Sequence, residues 1–208
     1  MRALLGELHH AAILDVGCGD GTISLQYLSP TNKITLVDLS PNMLERARLS
    51  TPASFARNVE YINDDFNNLS GTQFDVVICV GVLAHVDSVE SAVAKVASLV
   101  KPGGHCVIQL TDCEKLVAKI ERSYRSKVQK LRSYRYSTNH TTPSQIMDIA
   151  LSNSLDLLQQ RRYSLLLPGM GKLPDGWLYR FQKLTLDAPL LSKHGSEVIL
   201  HFEKGSLA

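Results

Sequence analysis

The stretch Asp15-Val16-Gly17-Cys18-Gly19-Asp20-Gly21 is the densest concentration of chemistry in the chain. A short apolar run ends in an acid, and three glycines follow at alternate positions. Glycines at 17, 19 and 21 remove side chains from a turn and permit positive φ, so a ligand can lie on bare backbone. Further acids close later apolar runs: Asp38 after Lys33 to Val37, and Asp64-Asp65 after Val59 to Asn63. His85 and His140 are candidates to take a proton from a reacting group, a role that suits an imidazole. For His85 the structural alternative is a ring that binds backbone near a strand end.

These residues need elements to position them. Ala11 to Val16 is nearly all apolar, which suits a strand covered on both faces. Thr22 to Leu28 reads as a helix ended by Ser29-Pro30, and Lys33 to Leu39 as a second strand. Ser40-Pro41 opens a helix with an N-cap serine and proline at the first helical position. Val59 to Asp65 and Phe74 to Val80 are the third and fourth strands. Asp87 with Glu90 resembles a capping box, and Val89, Ala92, Val93, Val96, Ala97 and Val100 recur on one helical face. Lys101-Pro102-Gly103-Gly104 stops that helix before a fifth strand, Cys106 to Leu110. Strands alternating with helices imply a mostly parallel sheet covered by helices, which binds ligands at the carboxyl ends of its strands. The acids and glycines lie at those ends.

The order and spacing of these motifs resemble the class I methyltransferases that use S-adenosylmethionine, in particular the branch with quinone-biosynthesis and natural-product enzymes. The resemblance is close from Ala11 to Leu110 and loose beyond. It implies a Rossmann-like α/β fold: a mostly parallel seven-stranded sheet with an antiparallel C-terminal strand and helices on both faces. It implies that Asp15, Gly17, Cys18, Gly19, Asp20 and Gly21 carry the methionine part of the cofactor, with Asp15 facing its ammonium. Asp38, 21 residues after Gly17, would accept the ribose hydroxyls, with Leu39 and Met43 beside the adenosine. Asp65, or its neighbour Asp64, would accept the adenine amino group, with Phe66 offering a backbone N–H and an apolar wall. Val80, Gly81 and Val82 would line the cofactor near its sulfonium. A dinucleotide fingerprint is the competing reading of the glycines, but Thr22 stands where its third glycine belongs.

The implied reaction is in-line methyl transfer to a small-molecule acceptor, with oxygen the expected site and S-adenosylhomocysteine the product. Transfer to RNA or protein, and a non-catalytic cofactor-binding subunit, are the alternatives. After Leu110 the pattern changes. Glu114 to Arg135 reads as an inserted helix, apolar at Leu116, Ile120, Tyr124, Val128 and Leu131. Lys115 to Arg135 holds eight Lys/Arg against one acid, a local charge of +7. That face suits solvent, an anionic substrate or, third, RNA. Thr142-Pro143-Ser144-Gln145 starts another helix, Leu158 to Leu167 reads as a strand broken by Pro168-Gly169, and Ser196 to Glu203 as the last strand. Tyr124, Tyr134, Tyr136, His140 and Trp177 are candidates to line the acceptor pocket.

At 208 residues and 44% apolar the chain suits a single domain. We divide it into a cofactor core over 11–110, an inserted basic segment over 111–142, and C-terminal elements over 143–208. No apolar run can span a bilayer, and Met1 to His10 lacks a signal-peptide layout. Four cysteines without metal-ligand spacing, and Asp112 without companions for a hard cation, argue for reduced thiols, no metal and a cytoplasmic setting. A homo-oligomer or a partner subunit completing the pocket is compatible with the short segment before Ala11.

Overall fold

β1 (Ala12–Val16) has four of its five residues buried, as a strand covered on both faces must. It lies between β2 (Lys33–Val37) and β4 (Phe74–Cys79), parallel to both. β3 (Val59–Ile62) extends the sheet beyond β2, and β5 (Val100–Thr111) continues it beyond β4, again in parallel. β6 (Leu155–Tyr163) and β7 (Glu197–Lys204) complete seven strands in the order β3-β2-β1-β4-β5-β7-β6. β7 runs against the other six strands, antiparallel to both β5 and β6. The coordinates are a computed structural model that describes residues 1–120, 122–124, 139–165, 176–177, 180, 183–184, 188 and 192–205.

The helices cover both faces. α1 (Arg2–Leu5) and α2 (Pro41–Ser50) precede α3 (Val89–Ser98) and α4 (Pro143–Ser152). On one face, Leu14, Val16, Val77, Ile108 and Leu200 pack with Val93 and Val96 of α3 and Ile146 of α4. On the other, Ile13, Ile34, Leu36 and Ile78 pack with Leu44 and Ala47 of α2. The strand order reverses between β1 and β4, so the loops after these strands diverge there and leave a crevice at their carboxyl ends.

The expected seven-stranded architecture is therefore present, with local differences. The stretch Thr22 to Leu28 is not an α-helix: turns lead into a 3-10 turn at Leu25–Tyr27. The Asp20 carboxylate accepts from both the Thr22 amide and hydroxyl, and such local bonds compete with a helical ladder. α3 is capped by Ser88, which accepts from Ser91 N, rather than by Asp87. Lys101 to Gly104 does not precede the fifth strand but bulges out of it: Val100 pairs with Phe74, and pairing resumes at His105 with Val76. The strand expected over Leu158 to Leu167 starts earlier, at Leu155, and ends at Tyr163, with Ser154 and Ser164 at positive φ on either side. Thr142 and Gln145 make the reciprocal capping box, and Ser40 caps α2 ahead of Pro41.

The inserted helix is helical at 116–120 and 122–124, and its Leu116, Ile120 and Tyr124 are exposed rather than packed. Its remainder, with Val128 and Leu131, lies outside the described residues. So do Tyr134, Tyr136, the Pro168-Gly169 break and most of 171–189. Among the described residues no helix is long and apolar enough to cross a membrane.

Candidate functional site

Five loops meet at the carboxyl edge, after β1, β2, β3, β4 and β5. The loop after β1 is the barest. Gly17, Gly19 and Gly21 all have positive φ, at 63°, 55° and 75°. A Cβ at Gly17 would stand 2.4 Å from Val82 Cγ2, so that glycine lets the loops after β1 and β4 touch. A Cβ at Gly19 would meet nothing within 4 Å, which marks open space above the turn. Cys18 between them is buried, and its N–H donates to Val37 O at 3.1 Å. Burial, and then the charges of Asp15 and Asp38, push its thiol up to about 12, so it is a small turn residue and not a nucleophile. Asp20 is exposed, with its carboxyl held below the usual range by the Thr22 hydroxyl and amide.

Asp15 is only 2% exposed. Its Oδ2 and the buried Ser24 hydroxyl each lack a hydrogen bond, although the two groups are close enough for the hydroxyl to favour the ionised carboxylate. Burial dominates and pushes the Asp15 carboxyl up to about 7; Ser24 opposes the rise and the Asp38 charge adds to it. A buried acceptor without a donor is a standing cost that an incoming cation or water would remove.

Asp38 ties the site together. Its Oδ2 accepts from Gly19 N and its Oδ1 from Ser40 N, both at 2.8 Å. One carboxylate thus joins the glycine turn to the cap of α2, and each oxygen retains a second lone pair for a hydroxyl. Asn63 Nδ2 donates to Asp38 O at 2.9 Å, which draws in the loop after β3. Leu39 and Met43 are exposed apolar side chains on this rim.

The loop after β3 holds both acids. Asp65 caps the 3-10 turn Phe66–Asn68 by accepting from Asn67 N at 2.8 Å. Asp64 Oδ1 accepts from Asp65 N and from Asn68 Nδ2. The Phe66 ring is buried in the same core cluster as Leu14 and Val37, on the β3 side of the glycine turn.

In the loop after β4, Val80 and Val82 are half-buried and Gly81 is exposed with φ at 76°. Gly81 N donates to Gln109 Oε1 at 2.9 Å. The two histidines, 55 positions apart, are brought to one neighbourhood by Asn139. Asn139 N donates to Ala84 O at 3.0 Å, and its side chain donates to Leu83 O and Val86 O. His85 and His140 are both exposed. Sequence reasoning missed Asn139, Gln109 and Asn63, whose partners are distant in the chain; the adjoining Thr142 cap was the available signal for Asn139.

Surface cavities open at both edges of the sheet. A space of about 550 Å³ between Gly71 and Lys101 opens at the amino edge, away from the glycine turn. One of about 330 Å³ lies at the carboxyl edge beside Asp112, Lys115, Thr142 and Arg162. There the buried Asp112 carboxylate accepts from Arg162 Nη1 at 2.7 Å and from Glu114 N, which braces the end of β5. Among the described residues no cluster of side chains is arranged to hold a metal ion.

A parallel sheet of this order, with a glycine turn and strand-end acids at its reversal point, defines a Rossmann-like methyltransferase fold. Residues 14–106 match the family described as "Methyltransferase domain". The ubiquinone biosynthesis O-methyltransferase of Xanthomonas euvesicatoria pv. vesicatoria is 37% identical over 101 residues, which cover 47% of this chain and 42% of that protein. The chain thus spans less than half the length of the curated relatives it matches. A solved structure of a Listeria monocytogenes protein, assigned provisionally as an S-adenosylmethionine-dependent methyltransferase, covers 99% of this chain and 95% of its own, with a TM-score of 0.71 at 15% identity. Magnesium protoporphyrin IX methyltransferase from Synechocystis, solved with S-adenosylhomocysteine, covers 93% of this chain and 73% of its own, with a TM-score of 0.64 at 17% identity. The fold is that of the class I methyltransferases, and residues 14–106 carry the similarity to the methyltransferase domain.

Proposed function

We propose that the chain transfers a methyl group from S-adenosylmethionine to a small-molecule acceptor, at oxygen. The observation that carries the reading is Asp15 Oδ2: a buried carboxylate oxygen without a donor, under a glycine turn with open space above it. The residues present suit this cofactor. Asp15 would answer its ammonium directly or through water, Asp38 its ribose hydroxyls, and Asp65 or Asp64 its adenine amino group. Leu39, Met43 and the Phe66 backbone would flank the adenosine, and Val80 to Val82 the sulfonium end.

When bound, the cofactor supplies an electrophilic methyl group whose in-line displacement leaves S-adenosylhomocysteine. The chain's contribution is then chiefly positioning, which can account for a large part of such an acceleration. His85 and His140 are the candidates to hold the proton of a neutral hydroxyl; a variant of either to alanine with an unchanged rate at neutral pH removes it from that role. The oxygen acceptor is supported by the relatives named O-methyltransferase. The division into a core over 11–110, an inserted segment over 111–142 and C-terminal elements over 143–208 is part of the same proposal. Four free cysteines, three of them buried, suit a reducing, cytoplasmic compartment. Titration calorimetry with S-adenosylmethionine and S-adenosylhomocysteine tests the proposal, and heat from neither would end it.

A further inference from the structure

A row of polar side chains crosses the carboxyl edge on the sheet face away from α3 and α4. It starts at Gly81, whose N–H donates to Gln109 Oε1 at 2.9 Å. Gln109 Nε2 donates to Glu197 Oε2, and the Thr111 hydroxyl donates to Glu197 Oε1 at 2.9 Å. Gln109 and Thr111 share a face of β5 because side chains alternate along a strand. Glu197 is paired in register with Thr111 on one side and Tyr163 on the other. Burial, and then the charge of Glu197, push the Tyr163 phenol up to about 12, so it stands beside the carboxylate as a neutral hydroxyl.

Three features make this row more than a brace. Its first member is the loop that touches the glycine turn, through Val82 against Gly17. Glu197 is half-buried, and Thr111 beside it is exposed. The span is also right. Neighbouring strands stand about 4.8 Å apart, which puts β7 about 10 Å from β4, roughly the length of one ring with its substituents. An acceptor reacting above β4 would therefore place its far end over β7.

We infer that Glu197 is the acceptor-binding carboxylate of this chain: it takes a hydrogen bond from a neutral hydroxyl or N–H at the end of the acceptor remote from the reacting atom, and it rejects acceptors that are anionic there. The inference rests on the methyl-transfer reading and narrows its substrate class. Gln109 is a positioning residue that orients Glu197 and links it to the loop after β4. A fixed carboxylate suits a donor-bearing group because it strengthens such a bond and repels a second negative charge.

The probes are catechol and salicylate, which differ in that a carboxylate replaces one hydroxyl. Each is titrated into the protein saturated with S-adenosylhomocysteine and followed by ligand-observed NMR. The wild-type complex should bind catechol at least about tenfold more tightly than salicylate. Glu197→Gln should weaken catechol about tenfold and narrow its advantage over salicylate. Glu197→Ala should weaken it further, with S-adenosylhomocysteine affinity unchanged as the control for folding. If Glu197→Ala does not fold, Glu197→Gln decides alone. Equal binding of the two probes, no binding of catechol, or catechol affinity unchanged in Glu197→Gln overturns the inference while leaving methyl transfer standing. Failure of the wild type to bind S-adenosylhomocysteine overturns both.

Discussion

Asp15 and Asp75 sit on neighbouring strands, at opposite edges of the sheet. Asp75, near the start of β4, is fully engaged: its Oδ2 accepts from Ala12 N at 2.7 Å and its Oδ1 from Lys101 Nζ at 2.8 Å. Partial burial pushes its carboxyl up, but the Lys101 and Ala12 hydrogen bonds outweigh this and hold it below the usual range. Asp15, at the end of β1, is buried more deeply, keeps one oxygen without a donor and is raised to about 7. The same residue type stabilises the fold at one edge and burdens it at the other. The burden falls where the glycine turn leaves open space, at the place proposed for the cofactor.

That contrast can be broken in order of size. For Asp15 the folded value lies above the unfolded one, so its contribution is most favourable below about pH 4 and is lost as pH rises to about 7. A shift of that size is on the order of 4 kcal/mol. Asp15→Asn should therefore become progressively more stable than the wild type between those pH values, as read by denaturant unfolding at each pH. A constant difference would mean that the carboxyl is not strained. Wild-type cofactor affinity should rise as Asp15 ionises, and the Asn variant should lose that rise; the same pH profile in both would remove Asp15 from the ammonium.

Asp38→Ala comes next. It should weaken S-adenosylhomocysteine binding by about 1–3 kcal/mol, because the carboxylate's bonds to Gly19 and Ser40 go together with the bonds proposed to the ribose. Unchanged affinity in calorimetry would remove Asp38 from the site. Asp75→Ala should cost about 1–2 kcal/mol of stability, mostly from the stranded Ala12 N–H, since the exposed ion pair itself is worth little. Its cofactor affinity should not move, and a matching loss of binding would erase the distinction between the edges. Cys18→Ser is the smallest change, about 1 kcal/mol of stability, because a hydroxyl is more costly to bury than a thiol. In the wild type, iodoacetamide at pH 8 should leave Cys18 unmodified, whereas rapid alkylation would contradict its buried, protonated thiol.

Legibility in the sequence followed the range of the interactions. The Ser40-Pro41 start of α2 and the Thr142/Gln145 box were readable because cap and partner lie within three residues. The strand cores were readable because burial on both faces demands uninterrupted apolar residues, as in Ile13-Leu14 and Val76-Val77-Ile78. The helix expected after Gly21 failed for a local reason that periodicity does not report, the Asp20–Thr22 bonds. Asn32 was invisible. Buried at 1% exposure, it holds Ala11 N through Oδ1 and both Leu8 O and Tyr27 O through Nδ2, and no spacing rule anticipates such a hub. At the carboxyl edge, the bare turn of three glycines and the place of Asp38 after β2 were legible from spacing, while the core placement of the Phe66 ring was not.

By itself, then, the sequence determined the class of sheet, the bare turn after β1 and the acids at the ends of β1, β2 and β3. These depend on chain-local constraints: alternation, helix caps, and glycine where a turn needs positive φ. Only the tertiary structure decided which side chains complete the carboxyl edge. Asn139 meets the loop after β4 across 53 residues, and Gln109 meets Glu197 across 88. Such contacts arise when folding stacks β5 against β7 and the polar groups left at the edge must find partners. The residue numbers alone hold no trace of that pairing.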